Sequence, residues 1–183
     1  MNKTKVLVVS DIHGSCVGAR AVIDAVSFHK PEYILCLGDI LYHGPRNDLP
    51  EEYDPKKVID IMNAYSSDII AVRGNCDAEV DQMVLQFPIT ADYNILMING
   101  KKVFMTHGHV YTPEKHLPLC EGDVFLSGHT HVPTTANKDG IFYLNPGSVS
   151  IPKGGHPATY ALLDETGFTV YTLDHQVYMH TEL

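Results

Sequence analysis

Five short polar clusters hold most of the side chains in this sequence that can bind a metal or move a proton. They are Asp11-Ile12-His13, Gly38-Asp39, Arg73-Gly74-Asn75-Cys76-Asp77, His107-Gly108-His109 and Gly128-His129-Thr130-His131. Their donors are carboxylate, amide oxygen and imidazole, with no sulfur required, a set that suits Mn, Fe, Co, Ni or Zn. In Asp11-x-His13 and His129-x-His131 the two-residue spacing turns both side chains to one side of an extended strand end, so each pair can grip one ion. Asp11, His13, Asp39, Asn75, His107, His129 and His131 together exceed the roughly four protein ligands one ion usually takes. Two divalent ions sharing a carboxylate is the economical arrangement, and Asp39, the lone carboxylate of its cluster, is the natural bridge. Glycines beside most clusters let the backbone turn tightly and the ligands approach.

Something must bring the clusters to one place. Each follows an apolar run bounded by turn residues and rich in Val, Ile and Leu: Val6 to Val9, Ile34 to Leu37, Ile69 to Val72, Val103 to Met105 and Val124 to Leu126. Runs this short read as buried strands. Helical patterns separate the first three. One covers Cys16 to His29, and one Pro55 to Tyr65, with Asp54 as N-cap and Pro55 at the first helical position. A third is expected over Asp77 to Phe87, capped by Asp77 and ended by Pro88. This βαβαβ order implies right-handed crossovers and a mostly parallel sheet, whose carboxyl edge is where such sheets place their sites. In the second half Asn99-Gly100, Lys138-Asp139-Gly140 and Glu165-Thr166-Gly167 mark hairpins and antiparallel strands. No linker, repeat or low-complexity stretch interrupts the chain, so residues 1–183 are expected to form a single α/β domain, two sheets packed face to face with helices outside.

Composition excludes several classes. The chain carries 13 Lys and Arg against 22 Asp and Glu, a net charge of -9, and such a field repels a long nucleic acid. No apolar run approaches the roughly 20 residues needed to span a bilayer, and the apolar stretch before Ser10 is too short for a signal peptide. The cysteines, Cys16, Cys36, Cys76 and Cys120, form no C-x-x-C pair. Neither a disulfide framework nor a thiolate zinc site is indicated, and a reducing cytoplasm is expected. No periodicity reports an assembly, which leaves a homodimer or larger homo-oligomer open.

The ordered blocks D-x-H, G-D, G-N-x-D, H-G-H and G-H-T-H resemble those of the calcineurin-like metallophosphoesterases, a likeness that runs from Asp11 to His131 and continues at Asn145-Pro146-Gly147-Ser148. The short length and the segment Tyr42 to Asn47 resemble the small single-domain bacterial phosphodiesterases of that superfamily. The resemblance implies a four-layer αββα sandwich of two mixed sheets flanked by helices. It also implies Asp11, His13 and His131 on one ion, Asn75, His107 and His129 on the other, and Asp39 bridging. Manganese is the expected metal. The expected reaction is hydrolysis of a small phosphodiester by in-line attack of a hydroxide bridging the two ions, with His107, His109, Arg46 and Asn75 acting at the reacting group.

Other residues are expected near the substrate. The segment Leu41 to Asp54 is long for a connection, and long ordered loops are often functional. Its His43, Arg46 and Asn47 can reach over the metals, Arg46 being suited to bidentate phosphate contact. Cys76 stands where the wider family often has His, which disfavours strong protonation of a leaving group there. Asp77 reads as a helix cap or an orienting partner. Lys153 and His156 are weaker candidates, while His29, His116, His175 and His180 read as ordinary core or surface histidines. The rival readings are a phosphomonoesterase or sugar-nucleotide pyrophosphatase using the same metals, and a non-enzymatic scaffold of the retromer-subunit type.

Overall fold

Val6–Val9 is buried along its whole length, as an unbroken aliphatic run must be when it is covered on both faces. In the computed structural model, which describes residues 4–183, this run is β1 and lies inside a six-stranded sheet. After it come α1 (Cys16–His29), β2 (Tyr33–Cys36), α2 (Pro55–Asn63), β3 (Ile69–Ala71), β4 (Tyr93–Ile98), β5 (Lys101–Thr106) and β6 (Val124–Leu126). The chain closes with β7 (Thr134–Lys138), β8 (Ile141–Asn145), β9 (Thr159–Asp164), β10 (Gly167–Thr172) and β11 (Val177–Thr181). One sheet has the order β11-β10-β9-β1-β2-β3 and the other β4-β5-β6-β8-β7. Both are mixed. β1, β2 and β3 run parallel, with Val6 beside Tyr33 and Ile34 beside Ile69, while β9 runs antiparallel to β1. In the second sheet β5, β6 and β8 are parallel and β4 and β7 antiparallel.

Alternation along β1 divides the core in two. Leu7 and Val9 face α1 and α2, in a cluster with Ala19, Val22, Val58 and Met62. Val6 and Val8 face the other way, into a layer shared with Val103, Met105, Val124 and Leu126 of the second sheet. This middle layer joins the sheets face to face. Both helices start where local chemistry puts them: the Ser15 hydroxyl accepts from Gly18 N at 3.1 Å, and Asp54 accepts from Lys57 N at 3.2 Å ahead of Pro55. The expected sandwich of two mixed sheets is present. Outside the second sheet, however, the covering layer is an irregular segment over 107–123, whose Tyr111 and His116 pack their rings on Phe104, Phe125 and Tyr143.

The helix expected over Asp77 to Phe87 is corrected by the structure, which has only a 3₁₀ turn at Asp81–Met83 there. The burial pattern explains this. Leu85, Phe87 and Ile89 are buried while Gln86, Pro88 and Thr90 are exposed, an alternation of two that belongs to extended chain. The Gln82 amide supplies what helix bonds would have supplied, donating to the carbonyls of Leu85 and Phe87 and accepting from Ile89 N. Asp77 caps nothing, because its carboxylate is committed elsewhere. The three expected hairpins join β4 to β5, β7 to β8 and β9 to β10.

Candidate metal centre

The carboxyl ends of β1, β2 and β3 deliver Asp11, His13, Asp39 and Asn75, and those of β5 and β6 deliver His107, His129 and His131. Backbone bonds knit the loops together: Asp11 N to Gly38 O, His13 N to Asp39 O, and Gly128 N to His107 O. Others cross between the sheets. His129 N donates to Asp11 Oδ2 at 3.1 Å, and His107 Nδ1 donates to Leu37 O at 2.6 Å. Asp11, His13, Asp39, His107 and His131 are all buried.

The nitrogens of these histidines are sorted by their partners. A carbonyl oxygen only accepts, so the contacts of His13 Nδ1 with Tyr42 O (2.7 Å), His107 Nδ1 with Leu37 O and His131 Nδ1 with Ile151 O (2.5 Å) each require an Nδ1–H. In the neutral ring the Nε2 lone pair is then bare, the arrangement that orients a metal-binding histidine. Those bare nitrogens meet one another and the carboxylates. His13 Nε2 lies 3.4 Å from His131 Nε2, and His131 Nε2 lies 3.1 Å from Asp11 Oδ1. Asp39 Oδ2 stands 3.6 Å from His13 Nε2 and 3.4 Å from His107 Nε2. Asn75 Nδ2 points at Cys76 Sγ, which turns Asn75 Oδ1 to His107 Nε2 at 3.1 Å. Lone pairs thus face lone pairs, and only a proton or a cation between them satisfies the group. Asp11 Oδ1 is accordingly buried without a hydrogen-bond donor.

Without a metal, protons take that role. Burial alone would lower His107, but its contact with Asp39 and the charge of Asp11 raise it to about 9. His13 is also raised, the Asp11 carboxylate 3.5 Å from its Nε2 overcoming the effect of burial. Asp11 is held well below the usual carboxylate range, since His13 and His131 outweigh the cost of burial. Asp39 is lowered, again against burial, chiefly by His107. His129 and His109 are lowered by burial and then by His107.

The backbone is strained where the candidate ligands sit. Asp11, His13, Asp39, His129 and His131 have φ of 58°, 50°, 56°, 66° and 59°, a left-handed region that costs a non-glycine residue about 1 kcal/mol or more and that clusters at functional sites. Two glycines make room for the carboxylates. A Cβ on Gly74 would lie 2.1 Å from Asp39 Oδ1, and one on Gly128 would lie 1.9 Å from Ser10 Oγ and 3.0 Å from Asp11 Oδ2. The chemistry of the donor set, the orphaned Asp11 oxygen and the fixed tautomers all fit divalent metal ions. The triads Asp11, His13, His131 and Asp11, Asp39, His107 each bring their ligand atoms within 4.8 Å of one another. His129 completes the neighbourhood, its ring 5.1 Å from that of His107.

A cleft of about 480 Å³ opens over these groups, lined among others by Arg46, Asn47, Asn75, Cys76, His129 and Lys153. Arg46, Asn47 and Cys76 therefore face the space where the sequence puts substrate, and Lys153, a weaker candidate, faces it too. Burial, and then Asp39, push the Cys76 thiol up to about 12, so it is neutral at physiological pH. His43, a residue of the same loop, sets its ring against those of Tyr42 and Tyr53 and is not among the described residues lining the cleft. His109 lies against His107 and His129, with a buried Nδ1 that has no hydrogen-bond partner. His156 instead meets Tyr178 Oη at 2.9 Å.

Several supporting residues escape sequence reasoning. Asp77 was legible as an orienting group, and it accepts from Asp39 N, Ile40 N and Gly74 N at 2.7–2.8 Å. Ser10 was not: its hydroxyl donates to Asp11 Oδ2 at 2.5 Å. The hydroxyls of Ser148 and Ser150 hold Asp11 O, and Asn145 Nδ2 holds Gly128 O. The one signal for this last group is the Asn145-Pro146-Gly147-Ser148 block.

Comparison with known proteins agrees with the geometry. The family pattern described as the calcineurin-like phosphoesterase superfamily domain matches residues 4–167. The chain is 46% identical over 172 residues to the phosphodiesterase YfcE of Escherichia coli K12, covering 94% of each protein. The solved structure of Yfce, described as a phosphoesterase from E. coli, superposes with a TM-score of 0.95 at 45% identity, covering 97% of this chain and 98% of that one. Vacuolar protein sorting 29 from Cryptosporidium parvum shares the fold alone, with a TM-score of 0.68 at 19% identity over 98% of this chain and 97% of that one.

Proposed function

The chain belongs to the calcineurin-like phosphoesterase superfamily, and from that premise we propose that it hydrolyses a small phosphodiester at a centre of two divalent metal ions, manganese first among them. The observation that carries this reading is the convergence of bare Nε2 lone pairs from His13, His107 and His131 on the carboxylate oxygens of Asp11 and Asp39. Asp11, His13 and His131 would hold one ion, Asn75, His107 and His129 the other, and Asp39 both. When bound, such ions lower the pKa of an attacking water and offset charge on the phosphoryl oxygens.

The protein supplies the rest. Carbonyl partners on His13, His107 and His131 keep each imidazole in one tautomer and orientation. Arg46 offers a planar fork to the non-bridging oxygens. His109 lies against the rings of His107 and His129, where it can act on the reacting group through those two histidines. Cys76 has a thiol too basic to serve as an acid near neutral pH, so it contributes at most a weak donor and favours substrates with readily departing alcohols. The match to a phosphodiesterase over nearly the whole chain supports the diester preference, and four free cysteines accord with a reducing, cytoplasmic setting.

Asp39→Asn tests the assignment. Bound metal and manganese-dependent hydrolysis of bis-p-nitrophenyl phosphate should fall together, by about 100-fold or more. Full metal-dependent turnover in that variant would refute Asp39 as the shared ligand. Faster wild-type hydrolysis of the mono-ester would replace the diesterase reading by a monoesterase, and stoichiometric metal without turnover on either ester would favour the scaffold.

A further inference from the structure

The protein is acidic overall, with 22 acidic against 13 basic residues, yet its cleft reverses that balance. Among the described residues the only acid lining it is Asp39, which is buried against histidines, while Arg46 and Lys153 both face it. Four other cations are held in ion pairs away from the cleft, Arg20 with Glu52, Arg73 with Asp92, Lys57 with Asp54 and Lys102 with Asp123, and what sets Arg46 and Lys153 apart from the remaining lysines is that they line the cleft. Among the described residues, the side chains of Arg46 and Lys153 have neither an ion-pair nor a hydrogen-bond partner, although Asp48, Glu51 and Glu52 follow Arg46 in its own loop.

The two cations come from loops far apart in sequence but tied to the same pair of ligands. Arg46 belongs to the turn closed by Asn47 N to Gly44 O, and Tyr42 of that loop holds His13 Nδ1. Lys153 lies two residues beyond Ile151, whose carbonyl holds His131 Nδ1, and its own N–H donates to His131 O at 3.2 Å. Gly154 and Gly155, at φ of 66° and 76°, turn the chain away directly after it. The backbone that carries each cation is thus tied to one of two histidines whose Nε2 atoms are 3.4 Å apart, while both charged side chains are exposed. The cleft, at about 480 Å³, is far larger than a phosphoryl group needs and lies within the roughly 300–1,000 Å³ of small-molecule sites. The aromatic rings among its described lining residues are the imidazoles of His13, His129 and His131.

Resting on the diester reading above, we infer that Arg46 and Lys153 form a two-cation site for a substrate with two anionic groups, Arg46 for the phosphodiester and Lys153 for a second group, phosphate or carboxylate, carried on the aliphatic arm. Arg46 meets the phosphodiester and the near side of that arm, and Lys153 meets its anionic end. The preferred substrates are therefore phosphodiesters with at least one further negative charge, and Lys153 determines that specificity.

Two matched esters with one leaving group test this, p-nitrophenyl propyl phosphate and p-nitrophenyl carboxyethyl phosphate, assayed with the manganese-loaded protein. The wild type should favour the carboxylated ester in kcat/KM by about tenfold or more, the worth of one charged hydrogen bond. Lys153→Gln should bring that ratio towards one and Lys153→Arg should retain it, with bound metal measured in each to verify an intact centre. Calorimetry with phosphonopropionate and propylphosphonate reads the same preference without turnover. Equal kcat/KM for the two esters in the wild type, or an undiminished preference in Lys153→Gln, overturns the inference and leaves the diesterase reading standing. If neither ester is hydrolysed, the diesterase reading fails, and the calorimetric ratio alone decides: tighter binding of phosphonopropionate that is lost in Lys153→Gln sustains the two-cation site, and equal affinity ends it.

Discussion

At the scale of single residues, His107 couples the centre to pH. Its folded-state value near 9 stands above the ordinary 6.5 because Asp39 and Asp11 outweigh burial. In the metal-free protein its protonation stabilises the fold fully below about pH 6.5, and that contribution is lost as pH rises through about 9. Asp11 and Asp39 are shifted the other way, so their contribution is complete throughout this window and leaves the slope to the histidines. Melting curves of chelated protein between pH 6 and 9.5 should therefore show a falling Tm, flattened in His107→Asn. Metal affinity should move in the opposite direction over the same range, since each ion needs a lone pair that a proton occupies. A chelated protein whose Tm rises towards pH 9 would contradict the proton-filled centre. Asp77→Ala belongs to this scale too. It unpairs three backbone N–H groups around Asp39, each costing about 1–3 kcal/mol when buried. Chemical denaturation should register a loss of at least about 3 kcal/mol, with metal affinity down by roughly 10–100-fold.

At the scale of elements, the approach of β2 and β3 at their carboxyl ends depends on Gly74. Gly74→Ala would drive a methyl against Asp39 Oδ1 and the Asp39 backbone. The expected result is a larger loss of bound metal than of helix and sheet content, read by metal analysis beside circular dichroism. Elements were legible in the sequence where their signals are local. Asp54 with Pro55 marks the start of α2, whereas the Ser15 cap of α1 came only with the structure, and Asn99-Gly100 and Asp139-Gly140, all at positive φ, make their hairpins. The helix expected over Asp77 to Phe87 fails because Val80, Met83 and Val84 are apolar yet exposed, which mimics a helical stripe and hides the alternation of Leu85, Phe87 and Ile89. The candidate ligand positions stand out in the sequence because each follows a strand. Ser148 and Ser150 do not, since they act on the Asp11 carbonyl 137 and 139 residues away, and no spacing rule reaches that far.

At the scale of the molecule, the centre straddles the two sheets: Asp11, His13, Asp39 and Asn75 come from one and His107, His129 and His131 from the other. Metal bound there opposes their separation. With free metal at about 100 times its Kd the gain is roughly 2.7 kcal/mol, which for a chain of this size raises Tm by about 5–10 °C. Differential scanning calorimetry with and without chelator checks this, and hydrogen exchange should slow in the loops of both sheets together. An unchanged Tm on chelation would mean that the ligands do not act as one group.

The left-handed backbone of five ligand positions has a consequence for which sequences can build this centre. Asn, Asp and His are the side chains most tolerant of that conformation apart from glycine, and the same three supply the oxygen and nitrogen donors that divalent metals accept. Geometry and coordination chemistry thus draw on one short alphabet at Asp11, His13, Asp39, His129 and His131. A random substitution there errs in two languages at once, while glycine errs in only one. In a saturation library sorted for folded protein in chelator, glycine should be enriched at these five positions, and in one sorted for metal-dependent turnover it should vanish from them.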